Sequence, residues 1–398
     1  MDLKIIPGKL TGNISVIPSK SQAHRLLICA ALADKPTTLY CSDTNRDIEA
    51  TAACQNALGA DICRTDAGYH VTPIKILPQK ASLPCRDSGS TLRFLLPVVG
   101  ALGVETDFRL EGRLAKRPLS PLWEEMERMG CKLHFSDTNT LHCKGQLIPG
   151  EYTIDGSVSS QFISGLLFAA ALIPGENKIT ITGKIESRPY IEMTRNAMEI
   201  FGCSSRNLTV RGGHPFISPI TDCVEGDWSN GAFFLAANAL GSSLTIENLS
   251  DDSLQGDKAV ANLLVKLKDH CVISAADIPD LVPILSVVAA CNHGAVFTDI
   301  QRLRLKESDR VASVISMLRS LGGSAEATEG TLKVFGTGLT GGTVDSLNDH
   351  RITMSAAIAA TVCSEPVMIL GAHCVEKSYP KFFEEYRRLG GNYEQYLR

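Results

Sequence analysis

The sequence predicts an α/β protein of two domains, each made of three βαβαββ units gathered around buried helices. Two observations predict it. Six Ala-rich apolar helices recur along the chain, each introduced by small polar residues, and six amphipathic helices alternate with them. A helix apolar all round has to be surrounded by protein, whereas an amphipathic one covers a core and shows its other face to water. With 398 residues the chain is also long for one domain.

The first apolar helix opens at Pro18-Ser19-Lys20-Ser21-Gln22-Ala23-His24-Arg25 and continues from Leu26 to Ala33. Ser19 or Ser21 caps its orphan N–H groups, and the positive end of the dipole joins Lys20 and Arg25 in a place suited to an anion, most simply a phosphate. The second follows Asp87-Ser88-Gly89-Ser90-Thr91-Leu92-Arg93, and the third follows Ser159-Ser160-Gln161. The fourth follows Asp227-Trp228-Ser229-Asn230-Gly231, the fifth Asp277-Ile278-Pro279-Asp280, and the sixth Asn348-Asp349-His350-Arg351. Their starts lie roughly 70 residues apart, with one step of about 50 before the fifth, the fixed period of a repeat containing one shortened unit.

The amphipathic helices are expected near Asp47–Leu58, Ser120–Met129, Ile191–Phe201, Asp257–Lys268, Ser308–Leu321 and Pro380–Leu389. Apolar residues recur there at three and four, as in Trp123, Met126 and Met129, and Gly59, Gly130, Gly202, Gly322 and Gly390 stop five of them. Strands such as Lys178–Thr182, Ser243–Ile246 and Thr331–Val334 fill the gaps. A boundary near Val224-Glu225-Gly226 halves the repeats, and the first strand region, Leu3–Val16, crosses back to the C-terminal half. The expected domains are therefore 1–18 plus 225–398, and 19–224.

At 44% hydrophobic and 21% charged residues the chain can bury sizeable cores, and its net charge of −4 excludes the global basic field that recruits nucleic acid. Any anion site has to be built locally. Thirteen Cys without a C-x-x-C pair or Cys/His ligand spacing point to reduced core thiols and a cytoplasmic protein. No signal-peptide run and no stretch of transmembrane length is present, so no membrane partner is expected. A monomer is the expected state.

Four further cations stand where short loops or helix mouths would present them: Arg117, Arg310, Arg351 and Lys377. Arg binds phosphate and carboxylate through a planar fork, and cations at matching places in a repeat favour a small polyanionic substrate. Asp280 and Glu307 are placed for proton transfer. Asp280 reads equally well as a helix N-cap, and Glu307 as an exposed first-turn acid. His350 reads as a site residue or a hydrogen-bonded structural one. There is no metal motif and no nucleotide-binding glycine pattern, so no cofactor is expected.

These motifs, in this order, resemble the 5-enolpyruvylshikimate-3-phosphate synthases of the enolpyruvyl transferase family. The specific marks are Ser19–Arg25, Ser157-Val158-Ser159-Ser160-Gln161, Glu225-Gly226-Asp227, Lys306-Glu307-Ser308-Asp309-Arg310 and Asn348-Asp349-His350-Arg351. The resemblance implies an inside-out α/β barrel in each domain and transfer of a carboxyvinyl group from phosphoenolpyruvate to the 5-hydroxyl of shikimate 3-phosphate, without metal or organic cofactor. It implies that Lys20, Ser21, Arg25, Ser159, Ser160, Gln161, Ser187, Asp280 and Lys306 meet shikimate 3-phosphate. Phosphoenolpyruvate would fall to Lys20, Gly89, Arg117, Gln161, Arg310, Arg351 and Lys377. Asp280 would accept the hydroxyl proton and Glu307, with Lys20 assisting, would protonate the methylene carbon. The family pattern is departed from at Ala23-His24, where Ser-Asn is frequent, and at Asp87, Phe94 and Arg302. The sister family, which uses UDP-N-acetylglucosamine, typically has Cys or Asp where this chain has Gly112.

Overall fold

In the computed structural model, which describes residues 1–396, the chain forms two compact units. One comprises Met1–Ile17 and Gly226–Arg398, the other Pro18–Glu225. Each has its own hydrophobic core. Among the described residues there are twelve α-helices. In the continuous unit these are α1 (Lys20–Ala31), α2 (Arg46–Ala57), α3 (Gly89–Leu102), α4 (Leu122–Arg128), α5 (Ser160–Leu172) and α6 (Arg188–Ile200). The other unit holds α7 (Trp228–Ala239), α8 (Val260–Lys266), α9 (Val282–Cys291), α10 (Arg310–Ser320), α11 (His350–Ala359) and α12 (Phe382–Arg388).

The odd-numbered helices are the apolar ones, and they are buried along almost their whole length. Five are capped as their sequences predict: Ser19, Ser88, Ser159, Asp227 and Asp349 each accept a backbone N–H of the first turn. The fifth apolar helix differs. Helix α9 begins at Val282 without a side-chain cap, so Asp280 lies outside it and is not an N-cap. Glu307 likewise precedes the cap of α10, which is Asp309, and is no first-turn acid. Helix α6 starts three residues earlier than the apolar period predicts, at Arg188, because Pro189 is well suited to a first turn. The Asp257–Lys268 stretch opens as a 3-10 turn, Gly256–Ala259, before α8.

Six sheets accompany the six units among the described residues, and five share one plan. Each has a parallel pair with an antiparallel hairpin added to one of its strands; in four the pair brackets the apolar helix in sequence, whereas in the first Thr37–Tyr40 takes its parallel partner from Thr221–Cys223. Lys80–Arg86 runs parallel to Glu105–Leu110, for example, which pairs with Thr140–Gly145 and then Cys131–Asp137. The fourth unit retains only the parallel pair Thr11–Ser15 and Ser243–Glu247, which accounts for the short step in the repeat. In the sixth, the hairpin strands come from opposite ends of the chain: Asp2–Ile6 lies between Val367–Leu370 and Asn392–Tyr396. All thirteen cysteines are free, and Cys63 and Cys223 are exposed rather than in a core. No helix among the described residues is long and apolar enough to cross a membrane.

Candidate active site

The candidate residues gather at the starts of both kinds of helix, and each unit holds its own cluster. In the unit that holds both chain ends, Arg310 is the centre. Its side chain is 1% exposed and its fork is spread over three carboxylates. Nη1 donates to Asp280 at 2.5 Å, Nη2 to Glu307 at 2.6 Å and Nε to Asp349 at 2.9 Å. Lys306 Nζ lies 3.3 Å from Asp280, and Arg351 Nη2 lies 4.0 Å from its other oxygen. Arg351 Nη1 donates to the Ser229 carbonyl at 2.8 Å, while its buried Nε has no partner among the described residues. Asp349 also accepts from Ser308 Oγ at 3.0 Å and from the Arg351 backbone at 3.0 Å, tying the starts of α10 and α11 together.

The electrostatics follow from this crowding. Burial pushes Asp280 up, but Lys306, Arg310 and Arg351 outweigh it and hold the carboxyl well below its ordinary range. Lys306 is lowered to about 8, by burial first and by Arg310 and Arg302, against the pull of Asp280 and Glu307. Asp257 receives a hydrogen bond from Ser229 Oγ and is raised to about 7, by burial and by the charge of Asp280. Asp280 and Asp257 are thus two carboxyls driven apart, one ionised and one poised near neutrality. His350 is buried at the start of α11, and Lys377 is buried in the 3-10 turn Ala372–Lys377, which packs on that helix.

The continuous unit holds its cations differently. Arg25 is buried, with Nε donating to Thr194 Oγ1 at 2.8 Å, Nη1 to the Ser21 carbonyl at 2.5 Å and Nη2 to the Tyr190 carbonyl at 2.9 Å. Its guanidinium also lies 4.9 Å above the ring of Phe94. All these partners are neutral, and burial without a carboxylate pushes Arg25 down from its usual range. A buried cation without a counter-ion is the electrostatic form of an anion site. Lys20 pairs with Asp47 at 2.9 Å.

A second group surrounds Gly89. Arg93 donates to Gln161 Oε1 at 2.9 Å, and Gln161 Nε2 donates to Ser90 Oγ at 2.8 Å. A Cβ on Gly89 would stand 2.8 Å from Arg117 Nη1 and 2.9 Å from Arg93 Nη1, so glycine there lets both guanidiniums lie on the loop and any side chain would push them aside. Gly165 serves the same group from below. A Cβ there would lie 2.3 Å from the Arg93 carbonyl oxygen, so its absence lets α3 and α5 approach and sets Arg93 beside Gln161. Ser159 and Ser160 are buried at the start of α5, and Ser187, with φ of 55°, opens α6.

The structure therefore joins Asp280, Lys306, Glu307, Arg310 and Arg351 in one cluster, Gly89, Arg117 and Gln161 in a second, and Ser21 with Arg25 in a third. Sequence reasoning passed over Asp349, Asp257, Asp47 and Arg93. Asp47 carried a signal: with Thr51 and Gln55 it makes a polar stripe at intervals of four on α2. Asp257 carried none, since its partner Ser229 is 28 residues away.

The profile of the EPSP synthase family (3-phosphoshikimate 1-carboxyvinyltransferase) matches residues 5–386. The chain belongs to the EPSP synthase family. Among curated relatives, a 3-phosphoshikimate 1-carboxyvinyltransferase of Clostridium botulinum (strain Alaska E43 / Type E3) is 38% identical, the match covering 99% of this chain and 98% of the relative. The enzyme of the same name from Clostridium beijerinckii is 37% identical over 99% of each chain. An EPSP synthase structure from Acinetobacter baumannii superposes with a TM-score of 0.80 at 22% identity, over 99% of this chain and all of that one. EPSP synthases thus share the fold of this chain, its inside-out α/β architecture included.

Proposed function

We propose that the chain transfers the carboxyvinyl group of phosphoenolpyruvate to the 5-hydroxyl of shikimate 3-phosphate, releasing phosphate, as a transferase of aromatic biosynthesis. The observation that carries this reading is the convergence, in a chain that the family profile matches over residues 5–386, of the carboxylates Asp280 and Glu307 with the cations Lys306, Arg310 and Arg351. In this reading the continuous unit binds shikimate 3-phosphate through Lys20, Ser21, Arg25, Ser159, Ser160, Gln161 and Ser187. Asp280 and Lys306 meet shikimate 3-phosphate as well, and Lys20, Gly89, Arg117, Gln161, Arg310, Arg351 and Lys377 receive phosphoenolpyruvate.

The chemistry needs a proton added to the methylene carbon, attack of the 5-hydroxyl on the neighbouring carbon, and loss of that hydroxyl proton. Elimination then removes phosphate and a methyl proton. Glu307 is suited to the first transfer and Asp280 to the hydroxyl proton. As found, Asp280 is a weak base because three cations stabilise its charge. An anionic substrate engaging Lys306, Arg310 and Arg351 spends those charges on itself, and the affinity of Asp280 and Glu307 for protons rises when they are needed. The spare donor of Arg351 supports the same assignment.

Two small substrates require no second chain and no membrane, so the reading includes a cytoplasmic monomer. The test is phosphate release from phosphoenolpyruvate without added metal, using shikimate 3-phosphate and UDP-N-acetylglucosamine as separate acceptors. Release with shikimate 3-phosphate alone is expected. Release with only the nucleotide sugar, or with neither, would refute the reading.

A further inference from the structure

Behind Lys20 runs a line of buried side chains that the proposed reaction does not use. His24 lies one turn along α1 from Lys20, and Thr51 one turn along α2 from Asp47. The Lys20–Asp47 ion pair at the mouth is therefore followed by a second rung, His24 Nδ1 to Thr51 Oγ1 at 2.6 Å. Thr51 Oγ1 lies 2.7 Å from Thr91 Oγ1, and Thr91 donates to Ser88 Oγ at 2.8 Å. Ser88 is the N-cap of α3 and accepts the Thr91 N–H as well. All four residues are fully buried.

Counting protons gives the line a direction. Each hydroxyl has one hydrogen. Thr91 gives its own to Ser88, so between the two threonines Thr51 is the donor. Thr51 then has none left for the imidazole, and His24 has to donate from Nδ1–H. This leaves Nε2 as a bare nitrogen, and it is indeed buried without a partner. The ring stays neutral: burial, with Lys20 and Arg25 adding to it and Asp47 opposing, lowers its pKa to about 3.

We infer that His24 is a positioning residue, whose directed hydrogen-bond line through Thr51 and Thr91 to Ser88 sets the Ser88-Gly89-Ser90 loop against Lys20 for phosphoenolpyruvate. The inference rests on the function proposed above. Ser90 is held from the other side by Gln161, so the loop is fixed between two side-chain lines, and Gly89 carries the Arg117 guanidinium between them. Where relatives frequently have Asn, an amide N–H can play the same donor part, so His24 replaces one donor by another.

The test separates positioning from packing. His24→Leu keeps the bulk and removes the donor. It is expected to raise KM for phosphoenolpyruvate about tenfold, the worth of one hydrogen bond, with KM for shikimate 3-phosphate changed less than about twofold. His24→Asn should restore the first constant to within about threefold. Thr91→Val cuts the line one link later and should give the same split, which keeps the test open if His24→Leu does not fold. Both constants rising together, neither rising, or failure of His24→Asn to rescue would overturn the inference. On the unmutated protein, imidazole nitrogen–proton NMR correlations should show the Nδ1–H tautomer, unchanged between about pH 5 and 8. An Nε2–H tautomer, or titration in that range, would reverse the line and overturn it. If the unmutated protein released no phosphate with shikimate 3-phosphate, the reaction would be refuted first, and the NMR result would still decide the direction of the line.

Discussion

The two units treat their central arginines in opposite ways. Arg310 is embedded in carboxylates, whereas Arg25 is embedded in hydroxyl and carbonyl oxygens. The first is charge-balanced before any substrate arrives and must exchange partners to take one. The second is buried without balance and already has the electrostatics of an anion site. What differs is therefore where the cost of burying charge is met: by the protein's own carboxylates at Arg310 and, in the proposed reading, by a bound anion at Arg25.

The sharpest way to break this comparison is to remove each cation while keeping its bulk. Arg310→Met leaves Asp280, Glu307 and Asp349 facing one another without the shared cation. It should destabilise its unit by about 3–5 kcal/mol and abolish turnover, read by thermal unfolding and phosphate release. Arg25→Met leaves only neutral acceptors, so unfolding should change by about 1–2 kcal/mol while shikimate 3-phosphate affinity falls at least about a hundredfold. Equal losses of stability would erase the distinction. Asp280→Asn and Glu307→Gln should come next, lowering kcat by about 10²–10⁴ with the fold intact, because Arg310 keeps Asp349.

Two smaller effects concern pH. Lys306 is charged below about 8 and loses that charge as pH rises through it. Affinity for shikimate 3-phosphate should then weaken by up to about tenfold per pH unit above that point, and Lys306→Arg should remove the limb. Asp257 runs the other way in stability. Its folded pKa of about 7 exceeds the ordinary value of 3.8, so the folded state binds the extra proton between them and stability declines as pH rises from about 4 to 7. Asp257→Asn should flatten that slope in pH-dependent thermal unfolding. An unchanged slope would place the titration elsewhere.

Much of the fold was legible because burial leaves a compositional trace. An Ala-rich apolar helix behind a polar cap is hard to mistake, and all six were visible, as was the shortened fourth unit. The cations of the site were legible too, since Arg and Lys at a helix mouth invite an anion. What stayed hidden was pairing. Nothing around Asp349 marks it as the carboxylate on Arg310 Nε, and Asp257 meets Ser229 only because the chain turns back through a strand. Asp280 was ambiguous for a physical reason: the single residue, Leu281, between it and the start of α9 is the difference between a cap and a carboxylate outside the helix. The line behind His24 lay across three helices, and only Asp47, Thr51 and Gln55 on α2 betrayed it.

The sheet that joins Asp2–Ile6 to Asn392–Tyr396 bears on synthesis. Every strand of the Pro18–Glu225 unit is in hand once residue 225 has left the ribosome, so that half can acquire its core while the rest is still being made. The other half cannot. Its strand Asp2–Ile6 waits, unpaired on both edges, until Val367–Leu370 emerges on one side and Asn392–Tyr396 on the other. The nascent chain therefore carries an open strand, Leu3, Ile5 and their neighbours, until those two partner strands have been made, and the finished unit 18–225 is the folded body that travels with it.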